Sequence, residues 1–454
     1  MSHSQGVVCH IGVWGIVALL MLGVMGIQVS GVFALSYDNV EQIPQPDAQG
    51  GAMKEWQIAV RPGKVQGLQK KLLDAHTVQL TWKEPDDNNG FRVYRKKSGQ
   101  SSYHLVATVQ KSRYTDRDLN LNKTYRYRIV PVLRFRGKIY KGRAAGISYR
   151  YTQLVAVNHQ KYSYSELIAD MKALVHRYPG KVRYQSIGMS EDGRNVYDII
   201  LGNPYASKKL LVIGAIHARE YMTSLLCMRQ IEYYLENYYG TLGDVNVKSI
   251  LSSVAIHFVP MANPDGVTIS QYGIGAVRKA SLRGKLAKIS RGTSTVWKAN
   301  ARGVDLNRNF PVKFKRMGKR GYAGFSGKKA LSESETRALV QRIASLRSGL
   351  LGVINYHATG SIIFGDYSGA DTVGSRTEGM YRLARSLTGY GSAGGYNSES
   401  GGRGNLREYI LYRQHIPCIT VEIGKHACPG PISEFPSIWN SNRLLVLKEA
   451  QFLR

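Results

Sequence analysis

Three stretches near residue 100 alternate strictly. Thr77-Val-Gln-Leu-Thr-Trp82, Phe91-Arg-Val-Tyr-Arg95 and Tyr125-Arg-Tyr-Arg-Ile-Val130 place apolar side chains at every second position, the period of a strand with one buried face. Turn-forming clusters such as Asp86-Asp-Asn-Asn-Gly90 separate them, so residues 64–152 are expected to form a small all-β sandwich. From about Tyr162 the texture changes. Tyr164–Tyr178 reads as an amphipathic helix opened by Ser163 or Ser165, and a second helix is predicted over Ser332–Arg347. Strands are predicted at Val182–Ile187, Asn195–Gly202, Lys208–Ile216, Val254–Pro260, Leu350–Tyr356 and Pro417–Ile423. Alternation of this kind predicts an α/β domain over residues 153–454, a mixed sheet flanked by helices.

The stretch Lys208–Tyr239 organises that domain. Leu210–Ile216 is a short apolar run, and Leu225, Leu226, Met228, Ile231, Tyr234 and Leu235 then recur at helical spacing. Between strand and helix stand His217 and Glu220. Ligands in open α/β sheets collect beyond the carboxyl ends of the strands, so an imidazole at the strand end and a carboxylate on the first helical turn are placed to share a metal ion. The other reading is a surface histidine and a glutamate complementing the helix dipole.

Charge changes the picture. The 454 residues carry 62 Lys and Arg against 31 Asp and Glu, a net charge of +31, which predicts attraction to polyanions: nucleic acid, anionic lipid or anionic cell-wall polymers. No nucleic-acid motif is present, and the amino terminus points elsewhere. Ile11–Ile27 is an almost continuous apolar run followed by Val32-Phe33-Ala34, so residues 1–34 read as a signal peptide or an uncleaved membrane anchor, and the chain as extracytoplasmic: secreted, wall-associated or membrane-anchored. Residues 35–63 are polar and read as a linker. Between Arg278 and Arg320 fourteen Lys and Arg face a single acid, Asp305. Cys227 lies on an apolar helix as a buried thiol, whereas Cys418 and Cys428 could pair in an oxidising compartment.

Four further motifs fall at loops or strand ends: Asn263-Pro-Asp-Gly266, Gly303-Val-Asp-Leu-Asn-Arg-Asn-Phe-Pro311, Asn355-Tyr-His357 and Thr420-Val-Glu422. With His217-Ala-Arg-Glu220 they make the chain resemble the zinc carboxypeptidase family of the carboxypeptidase A type over about Tyr162–Trp439. Within it the chain most resembles bacterial γ-D-glutamyl–diaminopimelate peptidases, whose Phe435-Pro-Ser-Ile-Trp439 tail it also shares. The upstream segment resembles a fibronectin type III domain, with Trp82 as its core tryptophan and Leu121-x-x-x-Tyr125 as its tyrosine corner.

The resemblance implies one zinc ion per chain, held by His217, Glu220 and His357. Two imidazoles and a carboxylate suit catalytic zinc, which keeps a position open for water. It implies Glu422 as general base, Asn307 and Arg308 as the grip on a substrate carboxylate, Arg219 as a further substrate contact and Tyr396, before Gly401-Gly402, as a mobile tyrosine. One departure stands out: where the family has an oxyanion-stabilising arginine this chain has Lys298, which keeps the charge without the bidentate fork, with Arg302 as the alternative. Arg407, before Glu408-Tyr409, falls at the family's specificity position. The function so implied is hydrolysis of peptidoglycan stem peptides, at the γ-D-glutamyl–diaminopimelate bond or a terminal residue. The alternatives are a secreted general metallocarboxypeptidase and a catalytically dead wall-binding protein.

Overall fold

The computed structural model describes residues 61–135, 137–290, 292, 294–365, 367, 371–393 and 403–454. The expected signal or anchor segment, most of the linker, Tyr396 and Gly401-Gly402 lie outside them. Among the described residues no helix is long and apolar enough to cross a membrane. The chain divides into two compact units, one of residues up to 71 plus 77–151, the other of 72–76 plus 152–454.

The smaller unit is all β. Its strands are β1 (Gln66–Asp74), β2 (Thr77–Lys83), β3 (Gly90–Lys97), β4 (His104–Val109), β5 (Arg113–Asp116), β6 (Thr124–Phe135), β7 (Lys138–Lys141) and β8 (Ala145–Arg150). They form a three-strand sheet, β1-β2-β5, and a five-strand sheet, β4-β3-β6-β7 with β8 also paired to β6. Alternation sorts the side chains as expected: Val78, Leu80 and Trp82 of β2 and Phe91 and Val93 of β3 are buried. The Trp82 and Phe91 rings meet edge to face across the two sheets at 5.2 Å, a geometry that aromatic pairs favour. The Tyr125 hydroxyl accepts the Asn120 N–H at 2.8 Å. Of the two leucines before Tyr125, Leu119 is buried and Leu121 only half-buried, with Asp118 and Asn122 between β5 and β6 in the left-handed region.

The larger unit is built on an eight-strand mixed sheet. In chain order come α1 (Tyr164–Arg177), β9 (Val182–Met189), β10 (Asn195–Leu201), β11 (Lys208–Ile213), α2 (Met222–Glu236), a small hairpin β12 (Thr241–Leu242) and β13 (Val245–Asn246), and α3 (Val247–Ser253). Then follow β14 (Val254–Val259), α4 (Pro264–Tyr272), α5 (Ala280–Ser290), α6 (Ser334–Leu346), β15 (Leu350–Ala358), β16 (Ile362–Phe364), α7 (Thr372–Thr388) and β17 (Gly391–Ser392). The last elements are α8 (Leu406–Glu408), which runs on as a wider turn over Tyr409–Gln414, β18 (Cys418–Ile423), α9 (Phe435–Asn442) and α10 (Leu445–Leu453). The strand order is β17-β16-β18-β15-β11-β14-β10-β9.

The four central strands, β18, β15, β11 and β14, run parallel, and parallel strands are buried on both faces. Every residue of β14 is buried. Leu210 and Val212 of β11, Ile354 and Tyr356 of β15, and Ile419 and Val421 of β18 pack into one core. Leu211 and Ile213, Val353, and Cys418 turn to the other, shared with Leu339 and Ile343 of α6 and with Leu406 and Ile410. Full burial of one such aliphatic side chain contributes roughly 1.5–3 kcal/mol. Helix α1 opens with Ser163, whose hydroxyl accepts the Glu166 N–H at 3.2 Å while Glu166 accepts the Ser163 N–H at 2.7 Å, a capping box. Cys227, Cys418 and Cys428 are free thiols, so Cys418 and Cys428 do not pair here; Cys418 is held inside β18 and fully buried.

Candidate active site

The site lies at the carboxyl ends of β11, β15 and β18. Strand β11 stops at Ile213, earlier than the apolar run suggests, because Ala215 takes a left-handed conformation (φ 46°). His217 and Glu220 therefore sit in a turn before α2 rather than at a strand end and on a helix. That turn is braced. The Thr223 hydroxyl donates to the Glu220 carbonyl at 2.7 Å and accepts the Ala215 N–H at 2.8 Å, and the Ala218 N–H donates to the Lys298 carbonyl at 3.1 Å. Asn263 serves the same purpose from below, its amide donating to the carbonyls of Ile216 and Ala299 at 3.3 and 3.2 Å while its oxygen caps α4 through the Gly266 N–H at 3.0 Å. Gly266 must be glycine, since a Cβ there would stand 2.4 Å from the Ala299 carbonyl oxygen.

His217, Glu220 and His357 converge. His217 Nδ1 lies 2.8 Å from one Glu220 oxygen, His357 Nδ1 lies 2.9 Å from the other, and the two Nδ1 atoms are 3.0 Å apart. All three residues are at most 4% exposed. Two buried ring nitrogens and a carboxylate converging at these distances can hold a shared cation. With both Nδ1 atoms directed at a metal, each Nε2 carries the proton. His217 Nε2 then faces Asp305 Oδ1 at 3.3 Å, the carboxylate behind a metal-ligating histidine that fixes its tautomer and orientation. The donor set is the one that fits zinc with a position left open.

Asp305 was not among the residues expected from the sequence, although it lies in the Gly303–Pro311 motif; its role depends on which way that loop folds. Leu306–Arg308 make a tight turn with the Asn307 N–H on Asp305 Oδ1 at 3.1 Å. Burial disfavours a charge on Asp305, but His217, Lys298 and Arg308 around it hold the carboxyl well below the usual range. Asp305→Asn is expected to weaken zinc binding about 10–100-fold, measured by competition with a chelator of known affinity; unchanged affinity removes Asp305 from this role. Glu220 is likewise held low: burial alone would raise it, and the two imidazoles overcome that.

Glu422 is the cross-strand partner of His357 in the β15–β18 register, so the two side chains share one face of the sheet. Burial pushes its carboxyl up to about 7, with Glu220 adding to the rise and His357 and Lys298 opposing it. A carboxylate poised near neutrality is suited to taking and returning a proton. Lys298 Nζ stands 3.8 Å from Asp305 Oδ2. Arg302 is drawn away, 3.5 Å from Glu191 and 3.7 Å from Glu333, so between the two it is Lys298 that stands in the site.

The remaining expected residues fall around this centre. The Asn307 amide oxygen accepts the Leu406 N–H at 2.9 Å, which turns its NH₂ into the group able to donate outward. Arg308 Nη1 donates to the Asn307 carbonyl at 2.8 Å. Arg219 is half-buried and lines a narrow cleft with Glu220, Met222, Ile423, Cys428 and Glu434. Arg407 is 8% exposed, buried rather than on the surface, next to Leu406, which packs in one core with Cys418 of β18. Tyr396 lies outside the described residues.

Residues 167–426 match the family model described as zinc carboxypeptidase. The chain belongs to the zinc carboxypeptidase family. It is 28% identical over 299 residues to γ-D-glutamyl-L-diamino acid endopeptidase 1 of Lysinibacillus sphaericus, covering 64% of this chain and 72% of the relative. It is 26% identical over 292 residues to an uncharacterized protein of Bacillus subtilis, covering 62% and 74%. Among solved structures, bovine thrombin-activatable fibrinolysis inhibitor superposes with a TM-score of 0.51 at 18% identity, covering 64% of this chain and 97% of that one, a likeness of fold. The family is one of zinc hydrolases that cleave peptides, and its metal agrees with the donor set at His217, Glu220 and His357.

Proposed function

We propose that this zinc peptidase is exported and hydrolyses peptide bonds of peptidoglycan stem peptides, at the γ-D-glutamyl–diaminopimelate bond or a terminal residue. The observation that carries the reading is the similarity of this chain, along most of its length, to an endopeptidase of γ-D-glutamyl-L-diamino acid bonds, with Arg407 a buried guanidinium on α8. Export rests on the apolar Ile11–Ile27 run, and the net charge of +31 suits an anionic wall.

His217, Glu220 and His357 would hold the zinc, which when bound would supply Lewis-acid chemistry to the site. Glu422 accepts a proton from water as its oxygen attacks the carbonyl carbon. Lys298 faces the negative charge that develops on the carbonyl oxygen. Glu422 then returns the proton to the amine nitrogen as the C–N bond breaks. Asn307 and Arg308 hold a substrate carboxylate by donated hydrogen bonds, and Arg219 lines the approach. A wall-binding protein without activity has no need of this buried set.

Incubation with purified muropeptides and mass analysis of the products tests the reading; cleavage of ordinary peptides but no muropeptide would favour a general carboxypeptidase instead. Arg407 gives a sharper test. Diaminopimelate ends its side chain in a carboxylate that a guanidinium can bind through two bonds, whereas lysine ends in an ammonium that it repels. The wild type is expected to prefer the diaminopimelate stem peptide, and Arg407→Ala to lose roughly thirtyfold or more on it, the effect of truncating one partner of a buried charged pair. Equal rates on both peptides, or a preference untouched in the variant, remove Arg407 from the pocket.

A further inference from the structure

The five-strand sheet of the smaller unit contains ten Lys or Arg and no Asp or Glu. Register decides where they point. In the β3–β6 pair Lys96 stands directly opposite Arg126, Tyr94 opposite Arg128 and Arg92 opposite Val130. In the β6–β8 pair Arg150 stands opposite Thr124 and Ser148 opposite Arg126. Tyr125, Tyr127 and Ile129 alternate with these positions and are buried, so Arg92, Lys96, Arg126, Arg128 and Arg150 share the outward face. Arg126, Arg128 and Arg150 are exposed. None of the five forms an ion pair among the described residues; Arg95, which pairs with Asp116 at 2.8 Å, belongs to the inner face. Lys70, on β1, donates to the Ser148 carbonyl at the edge strand β8 at 2.6 Å, and an open groove at one end of the sheet adds Lys111, Arg113 and Arg134.

Like charges directly opposite on paired strands are destabilising. Diagonal neighbours about 7–8 Å apart also lie within the screening length of roughly 10 Å at 0.1 M salt. A sheet face that gathers unpaired cations in register is one that a line of negative charges relieves. We propose that this face docks a phosphodiester polymer of the cell wall, a chain of phosphates joined by polyols without bases. Its choice of the wall rests on the peptidoglycan reading above; the anion-binding face itself rests on register and charge. Nucleic acid is disfavoured by the aromatic groups present. Arg128 already covers the ring of Tyr103 at 4.1 Å, and Tyr94 is half-buried between its neighbours, whereas binding of single strands needs open ring faces for stacking.

The test measures binding of the full chain to poly(glycerol phosphate), to a single-stranded oligonucleotide of equal charge, and to walls before and after chemical removal of their phosphodiester polymer. Wild type is expected to bind the polymer and the untreated walls, with binding lost between 0.05 and 0.5 M salt, and to bind stripped walls and oligonucleotide at least tenfold less. Arg126→Glu/Arg128→Glu is expected to bind at least tenfold more weakly while cutting a small soluble stem peptide at the wild-type rate. Arg126→Glu alone faces Lys96 with the opposite charge, so it should keep or raise the melting temperature even as binding falls, which separates a lost surface from a lost fold. Lys285→Glu/Lys288→Glu, on α5 of the other unit, is the control and should bind as wild type. The proposal is overturned if the double variant binds like wild type, if only the α5 variant loses binding, if stripped walls bind equally, or if the oligonucleotide is preferred. Failure of the protein to cut any muropeptide, with this binding pattern intact, sinks the catalytic reading and leaves the docking face standing.

Discussion

Glu422→Gln is expected to keep its zinc and its fold and to lose about 10²–10⁴-fold in turnover, the range for removing a general acid–base group. Amide and carboxylate are close in shape, so packing around β18 is retained, but only the carboxylate can take the proton from water. Two features suit Glu422 to that proton transfer. It shares a sheet face with His357, and burial holds its carboxyl at about 7. The measurement is steady-state hydrolysis of a soluble peptide beside metal analysis of the same preparation. Activity within threefold of wild type would falsify the assignment. Loss of zinc in parallel with activity would instead make Glu422 part of the metal's support.

His357→Ala is expected to fail differently, losing bound zinc and activity together. Removing one of three protein ligands leaves His217 and Glu220 alone with the cation. Metal that binds only the folded chain stabilises it by mass action, roughly 4 kcal/mol when free zinc exceeds its dissociation constant a thousandfold. At about 2–4 °C per kcal/mol for a domain of this class, chelation should lower the melting temperature of the wild type by on the order of 10 °C. The variant should melt near the chelated wild type and show no further response to chelator. A variant that retains one equivalent of zinc shows that His357 is not a ligand, whatever its activity.

Much of this was legible along the chain because it depends on local periods. Alternation placed β2, β3 and β6, and apolar runs placed the central strands, since a parallel strand must be apolar on both faces. His217 and Glu220 were legible because four consecutive residues of one turn carry both. The motifs ending β15 and β18 supplied His357 and Glu422 as residue types at strand ends, and the resemblance they carry named the family. Ends of elements were read less well. The run to Ile216 looked like continuous strand, but hydrophobicity does not report the left-handed turn at Ala215.

What only the tertiary structure decided is pairing over distance. His357 and Glu422 become neighbours through the β15–β18 register, and Asp305 stands behind His217 because the Gly303–Pro311 loop folds under the 217–220 turn. Lys298 and Arg302 are equivalent cations four residues apart in sequence; acids from residues 191 and 333 draw one of them away. That Arg407 is buried depends on the packing of α8, which the sequence does not show. The opposition of Lys96 to Arg126 likewise exists only once β3 and β6 pair. Composition and period are properties of a segment, whereas a site is made of side chains that separate segments bring within a few ångströms. A shift of one residue in register would send each strand's contribution to the other face of the sheet.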